Sequence, residues 1–261
     1  MVAGLEFSVD ADSGIARLTF NRPDKHNAIT LDMWRAIPEL VAKVEADPTV
    51  LVLQLTGAGG SFSAGADVAE FRHLRAEPAD AARYDEAVLG AVRALREMVK
   101  PSMAVLRGNC IGGGCQIAVA CDLRFAAEGA RFGITPAKLG IVYDFESTRQ
   151  LVSLVGPARA RYLLLSGELI DAARAREIGL VDDVVPAGEL EQVADRFAAT
   201  IASRSQASVR GMNRIIGKIA AGQHEPDDEV RHIRLRALTG EDYAEGVAAF
   251  LERRPPRFTF R

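Results

Sequence analysis

The chain has 261 residues, 48% of them hydrophobic and 26% charged, which is ordinary for a soluble globular protein with a sizeable core. The formal net charge of -3 argues against a general nucleic-acid-binding protein. No apolar run reaches the roughly 18 residues that a membrane-spanning helix needs, and the first residues lack the pattern of a secretion signal. We therefore expect a cytoplasmic protein without a role in membranes.

The first third of the chain combines short strands, turns and one helix. Ile15–Phe20 is a β-rich run that ends in a polar, proline-containing loop at 21–28. Thr30 is a good N-cap, and apolar residues recur at helical spacing after it. Residues 50–56 read as a continuous apolar strand, which is followed by a glycine-rich segment.

The middle third repeats this order, and the last third is mainly helical. Ser102–Leu106 is a predicted strand, a glycine-rich turn and a short helix follow it, and residues 123–126 begin another strand. Helices dominate after Pro157, which fits the first turn of a helix. Strands that alternate with helices indicate an α/β architecture with largely buried sheets.

Cysteine and histidine spacing gives no sign of a metal site. Cys110, Cys115 and Cys121 lie close together in an apolar segment, but their spacing matches neither a CxxC metal knuckle nor a disulfide framework. We expect buried free thiols, which is the usual state of such cysteines. The four histidines are scattered without HxxxH or HExxH spacing, so no metal is expected.

Two glycine-rich turns each follow an apolar strand and precede a helix. They have the sequences SAGAD, at 63–67, and GGGCQ, at 112–116. Glycine lets a backbone approach a ligand closely, and a helix N-terminus adds unpaired N–H donors. If the two turns face each other, one N–H from each can bind a single carbonyl oxygen and form an oxyanion hole. Neither turn fits the phosphate-binding patterns GxxxxGK[ST] or GxGxxG.

Five stretches spread along the chain carry a specific combined pattern: LTFNRPDKHNAIT, FSAGADVAEF, KPSMAVLRGNCIGGGCQIAVACDLRFAAEGARFG, LLSGELIDAARAREIGLVDDVVP and EDYAEGVAAFLERRPP. With them the chain resembles the enoyl-CoA hydratase/isomerase family, the crotonase superfamily, from end to end. The resemblance implies an α/β spiral of ββα units over residues 1–200 that carries an acyl-CoA site. It also implies a C-terminal helical region, residues 201–261, that joins subunits into a homotrimer or a dimer of trimers.

The resemblance also implies where an acyl-CoA substrate binds. By the family's pattern, the backbone N–H groups of Ala66 and Gly113 form the oxyanion hole. Coenzyme A is part of this substrate, so no separate cofactor is expected. The residues expected along its pantetheine and adenine are Lys25, His26, Asn27, Ala28, Ser63, Ala64 and Asp67. Lys25 is a candidate for a phosphate contact, and a solvated loop lysine is the alternative.

The chain departs from its family at the two glutamates that hydratases use to hold water and manage the α-proton. The first position is Gln116, and the second, aligned through the FG and LG landmarks, is Pro136. Neither side chain can take or give a proton. Efficient hydration by the usual two-glutamate mechanism is therefore not expected from this sequence.

Replacement groups lie a few residues further on. Asp144 falls where related dienoyl-CoA isomerases and aryl-CoA dehalogenases place an aspartate, and Tyr143 where methylmalonyl-CoA decarboxylases place a tyrosine. We expect Asp144 to move a proton in a double-bond isomerisation or related reaction, with its pKa raised by burial against Val142 and Phe145. Glu146 is a weaker candidate for this role. The helix dipole favours an acidic residue in the first turn of a helix, which explains Glu146 without a catalytic function.

Three alternatives to the isomerase stay open. The first is decarboxylation of a malonyl-type thioester, which needs an oxyanion hole but no base and would use Tyr143. The second is a hydratase with atypical residues, and the third is an acyl-CoA binder that has lost its chemistry. The resemblance implies that the segment at 72–88 roofs the acyl pocket. His73 and Tyr84 within it could reach the pocket, but we expect both on a solvated helix face.

Overall fold

The computed structural model describes residues 2–74 and 77–260, and this part of the chain forms an α/β fold, as the sequence predicts. Its strands are β1 (Leu5–Asp10), β2 (Ile15–Phe20), β3 (Val52–Gly57), β4 (Ser102–Leu106), β5 (Asn109–Ile111), β6 (Leu123–Ala127), β7 (Arg131–Gly133), β8 (Ile170–Asp171) and β9 (Asp183–Val185). Its α-helices are α1 (Leu31–Ala46), α2 (Phe71–Leu74), α3 (Pro78–Arg96), α4 (Gly113–Ala120), α5 (Phe145–Val155), α6 (Pro157–Ser166), α7 (Ala172–Glu177), α8 (Leu190–Ala202), α9 (Gln206–Ala220), α10 (Asp228–Thr239) and α11 (Glu241–Glu252).

The strands form two sheets. The larger sheet has the order β1-β2-β3-β4-β6-β9, and all its pairings are parallel except the β1–β2 hairpin. The smaller sheet has the order β5-β7-β8, with β5 parallel and β8 antiparallel to β7. The central strands β3 and β4 are buried almost throughout, as parallel strands covered on both faces are expected to be.

Side-chain caps begin the helices that position the site. The Thr30 hydroxyl accepts a hydrogen bond from Met33 N at the start of α1, which confirms the predicted N-cap. The Asp144 carboxylate accepts from Ser147 N at the start of α5 in the same way, and the Asp171 carboxylate accepts from Arg174 N at the start of α7. These polar residues fix where each helix starts.

The C-terminal helices α9 to α11 follow the turn at 203–205. The expected boundary between residues 200 and 201 falls inside the last turn of α8, and the division into two regions stays a prediction. The role of this region in joining subunits stays a prediction. None of the helices within 2–74 and 77–260 is long and apolar enough to cross a membrane.

Gly108 lies in the turn between β4 and β5 that leads the chain to the second glycine-rich motif. Its φ is +52°, and a Cβ added there would lie only 1.9 Å from the Gly60 carbonyl oxygen. We expect Gly108→Ala to lower the free energy of unfolding by at least about 1–3 kcal/mol, the usual strain of such a backbone. Urea titration at one protein concentration measures this loss.

Gly60→Ala is the matched control, because an added Cβ there meets no atom within 4 Å. The control should be neutral or gain up to about 1 kcal/mol, since alanine reduces the entropy of the unfolded chain. Equal stability of the two variants would contradict the assignment of strain to Gly108.

Candidate active site

The two glycine-rich turns lie side by side. Ser63 N–H donates to the Asn109 carbonyl (2.9 Å), and Ile111 N–H donates to the Ser63 carbonyl (2.9 Å), so the first turn pairs with β5. β5 leads directly into Gly112 and α4. The fold thus brings together two motifs that are almost 50 residues apart in the sequence.

Two backbone N–H groups face a common space at this junction. Ile29 exchanges hydrogen bonds with the Gly65 carbonyl (2.8 Å) and the Asp67 N–H (2.9 Å), so the N–H of Ala66 between them points away from Ile29. Gly113 is the first residue of α4, where helical N–H groups have no partner within the helix. A Cβ added to Gly113 would lie 3.4 Å from Ala66 N, so the two donors are neighbours.

Each glycine of the GGG triplet meets a separate steric demand. Gly112 has a φ of +55°, which other residues rarely adopt. A Cβ at Gly113 would lie 2.8 Å from Cζ2 of Trp34, and a Cβ at Gly114 would lie 2.6 Å from the Ser63 carbonyl oxygen. Side chains at these positions would separate the start of α4 from the loop that carries Ala66.

A cavity of about 200 Å³ opens in front of these two donors. Its polar lining comes from Asp85, Gln116, Thr135, Tyr143 and Asp144. The apolar lining comes from Trp34, Ala64, Ala66, Val68, Phe71, Tyr84, Val88, Leu89, Pro136, Leu139, Ile141 and Val142, with Gly112 and Gly113 completing the wall. An apolar cavity with a few convergent polar groups is the usual form of a small-molecule site.

Gln116 and Asp144 are joined inside this cavity. Gln116 Nε2 donates to Asp144 Oδ2 (3.1 Å) and to Ser147 Oγ (2.7 Å), while Asp144 Oδ1 accepts from Ser147 N (2.8 Å). Gln116 and Ser147 are buried, and Asp144 is partly exposed towards the cavity. Both oxygens of Asp144 are therefore held in one orientation by groups on α4 and α5.

The hydroxyl group of Tyr143 lies close to Cys115, Asp144 and Ser147. Burial raises the pKa of Tyr143 well above its usual value, and the neighbouring Cys115 and Asp144 act in the same direction. The phenol is therefore protonated at neutral pH, and its hydroxyl group lies within hydrogen-bonding distance of Ser147.

Asp144 is not buried by the neighbours that we expected to cover it. Val142 is 93% exposed and Phe145 is 80% exposed, so that prediction is wrong. Because Asp144 caps α5, its carboxylate turns inward to Ser147 N, while the flanking side chains point outward. The groups that surround the carboxylate are polar, namely Gln116 and Ser147.

Glu146 lies outside the lining of this cavity and links two helices instead. Its carboxylate accepts hydrogen bonds from Arg93 Nε (3.0 Å) and Nη2 (2.6 Å), which joins the first turn of α5 to α3. The hydrogen bonds from Arg93 lower the pKa of Glu146. This ion pair fixes the start of α5, and with it the position of Asp144.

The residues expected along coenzyme A form one loop surface, and they differ in whether their side chains are buried or accessible. The side chains of Asn27 and Ser63 are fully buried; Asn27 Nδ2 donates to the carbonyls of Ala58 and Ser61, and Ser63 Oγ donates to the Asn27 carbonyl. Asp67 pairs with Arg22 (3.0 Å). Because the side chains of Asn27 and Ser63 are buried within the loop, these two side chains are not available to a substrate.

The outer members of that surface are more accessible. Lys25 and His26 are exposed, and Ala28 and Ala64 are partly buried. His26 N–H donates to Pro23, and the His26 carbonyl accepts from Ala64 N (2.9 Å), which joins the two loops. The assignment of Lys25 to a phosphate stays a prediction.

Sequence reasoning missed several residues of the cavity. Tyr84 was expected on a solvated face, but it is 1% exposed and lines the cavity, and its hydroxyl accepts a hydrogen bond from Trp34 Nε1 (3.2 Å). Trp34 and Ser147 were not singled out either. The spacing of α1 marked Trp34 as a core residue, but no local pattern shows which cavity it borders. The side chain of His73 lies outside the described residues.

The three cysteines are buried and free of disulfides, as predicted. Burial raises the pKa of the Cys121 thiol to about 12, and it raises that of Cys110 in the same direction. These thiols are therefore protonated and act as small apolar groups in the core. Among the residues that the structure describes, no cluster of three or more histidine, cysteine or acidic side chains could hold a metal ion.

Comparison with known proteins agrees with this architecture. The sequence profile of the enoyl-CoA hydratase/isomerase family matches residues 10–261. The chain is 36% identical to a crotonyl-CoA hydratase of Syntrophomonas wolfei, with 96% of each chain covered. It is 30% identical to a peroxisomal Delta(3,5)-Delta(2,4)-dienoyl-CoA isomerase of Arabidopsis thaliana, which covers 95% of this chain and 94% of that protein.

Solved structures give the same result. The fold superposes with a TM-score of 0.94 on the crystal structure of an enoyl-CoA hydratase/carnithine racemase from Magnetospirillum magneticum, at 32% identity over 100% of this chain and 97% of the other. With a matching family profile over nearly its full length, the chain belongs to the enoyl-CoA hydratase/isomerase family.

Proposed function

We propose that this protein is an acyl-CoA double-bond isomerase in which Asp144 carries the proton. The observation that supports this proposal most directly is the carboxylate of Asp144 in the same cavity as the N–H groups of Ala66 and Gly113, held by Gln116 at 3.1 Å. A base and an oxyanion hole are the two groups that proton transfer next to a thioester requires.

The reaction proceeds in two proton transfers. The thioester oxygen binds the N–H groups of Ala66 and Gly113, which stabilise the negative charge that develops there. Asp144 takes a proton from the carbon beside the carbonyl, and the electron pair left behind spreads over the oxygen and the conjugated double bond. The protonated Asp144 then returns the proton further along the chain, so the double bond moves and no atom is gained or lost.

The resemblance implies that hydratases carry glutamates at the positions of Gln116 and Pro136, and these two residues both line the cavity. Gln116 donates to Asp144 and Ser147, so its amide orients the carboxylate and exchanges no proton itself. Pro136 has no polar side-chain group at all. The cavity therefore offers Asp144 as its inner carboxylate, with Asp85 exposed at the rim.

Decarboxylation of a malonyl-type thioester is the second candidate, and the protonated Tyr143 favours it. In that reaction the bond to the carboxylate breaks, carbon dioxide leaves, and its electron pair forms the enolate that the same two N–H groups stabilise. Tyr143 can donate to the departing carboxylate. The carboxylate of Asp144 beside it opposes this role, because like charges repel at short range.

The test incubates the protein separately with crotonyl-CoA, a 3,5-dienoyl-CoA and methylmalonyl-CoA and follows each thioester by mass and ultraviolet absorbance. We expect the double bonds of the dienoyl-CoA to move into conjugation with the thioester at unchanged mass. Release of carbon dioxide would favour the role of Tyr143. Gain of water by crotonyl-CoA at a higher rate than dienoyl conversion would overturn the proposal, and so would tight binding without turnover of any substrate.

A further inference from the structure

The apolar end of the cavity is closed by two helices that are tied together. Trp34 on α1 is fully buried, Tyr84 on α3 is 1% exposed, and Trp34 Nε1 donates to the Tyr84 hydroxyl at 3.2 Å. The ring of Phe71 packs edge-on against Tyr84, with 5.4 Å between the ring centroids. We name Trp34, Phe71 and Tyr84 the aromatic wall.

The aromatic wall stands directly beside the oxyanion hole. A Cβ added to Gly113 would lie 2.8 Å from Cζ2 of Trp34, so the indole ring is in contact with the residue that supplies one of the two donors. The cavity is open where Val68, Leu139 and Val142 line it, since these side chains are 55%, 58% and 93% exposed. A thioester that enters through this open end directs its acyl chain towards the wall.

The space between the two ends is small. The cavity measures about 200 Å³, whereas sites for drug-sized ligands usually span about 300–1,000 Å³. An apolar cavity of about 150 Å³ holds one benzene molecule. Because the thioester group takes part of the volume, room remains for about four to six carbon atoms.

The geometry points to the aromatic wall as the element that limits this enzyme to short acyl chains, of about four to six carbons. This inference rests on the placement of the thioester in the proposed function. It deepens that function by naming the substrate class and the residues, Trp34 and Tyr84, that determine it. A longer chain meets two buried side chains that a hydrogen bond joins across α1 and α3.

Binding of saturated acyl-CoA thioesters tests the wall without any turnover, so the result is independent of which reaction the enzyme performs. Calorimetry measures the Kd of butyryl-CoA and of decanoyl-CoA for the full-length protein. A methylene without room in an apolar pocket costs about tenfold or more. We expect decanoyl-CoA to bind the unaltered protein at least about tenfold more weakly than butyryl-CoA.

Shortening the wall should remove this difference. In Tyr84→Leu and in Trp34→Leu we expect decanoyl-CoA to bind at least about tenfold more tightly than it binds the unaltered protein. The control is Tyr162→Leu, which trims an exposed tyrosine on α6 outside the cavity lining and should leave the ratio of the two Kd values unchanged. Two wall variants on different helices keep the test decisive if one of them fails to fold.

Two results would overturn the inference. One is equal affinity of the unaltered protein for butyryl-CoA and decanoyl-CoA. The other is a ratio of Kd values that neither folded wall variant changes, which would mean that the chain leaves the cavity by another route. Failure of the isomerase assay with a length preference intact would instead refute the proposed reaction and leave the aromatic wall in place.

Discussion

Asp144→Asn should lower the rate of dienoyl-CoA isomerisation by about 10²–10⁴-fold, the usual contribution of a general acid or base. The physical reason is that an amide cannot take up the proton that the carboxylate removes. Asparagine keeps the size of the side chain and caps a helix as well as aspartate does, so α5 should form normally. Steady-state kinetics with one dienoyl-CoA substrate measures the loss in kcat.

The fold supplies a matched control for this variant. Asp171 caps α7 through the same hydrogen bond, from its carboxylate to the N–H three residues on, but it is absent from the cavity lining. Asp171→Asn should therefore retain full activity. A loss in Asp85→Asn with full activity in Asp144→Asn would move the proton transfer to the rim of the cavity and contradict our assignment.

Ala66→Pro should lower kcat by about 10²–10³-fold, as removal of one oxyanion-hole donor does in other enzymes. Proline has no backbone N–H, so the substitution deletes the donor itself. Two hydrogen bonds hold this loop to Ile29: the Gly65 carbonyl accepts from Ile29 N–H, and the Asp67 N–H donates to the Ile29 carbonyl. Proline at 66 removes neither. Kinetics with the same dienoyl-CoA gives the fold-change.

Ala66→Gly is the companion variant, because it keeps the N–H and removes only a methyl group. Its kcat should stay close to that of the unaltered protein. Circular dichroism and the Kd of butyryl-CoA establish whether the proline variant is folded and still binds. A folded Ala66→Pro protein with undiminished kcat would show that this N–H takes no part in stabilising the enolate.

Local signals in the sequence predicted much of the fold. Thr30 is a good N-cap residue, and α1 begins directly after it. The GGG triplet was predicted as a tight turn because glycine readily adopts a positive φ and allows close contact; Gly112 has the positive φ, and Gly113 and Gly114 have the close contacts. Such features depend on a few neighbouring residues, which is why the sequence reveals them.

The resemblance to a family added what local patterns could not supply. It predicted that Gln116 and Pro136 occupy the positions of the two hydratase glutamates; both residues line the cavity, and the correspondence itself stays a prediction. The resemblance also pointed to Asp144, because related dienoyl-CoA isomerases place an aspartate at this position. The roles of these residues stay predictions, because family membership fixes the architecture of the site more firmly than its reaction.

The sequence by itself determined the α/β class, the family and the two glycine-rich turns, since each depends on local spacing or a motif. Only the tertiary structure decided which side chains meet. Gln116 and Asp144 are 28 residues apart, and they pair because α4 and the start of α5 converge on one cavity. Tyr84 lies in a polar, alanine-rich stretch, yet it is buried because α3 packs against α1, where the Tyr84 hydroxyl accepts a hydrogen bond from the indole N–H of Trp34, 50 residues earlier.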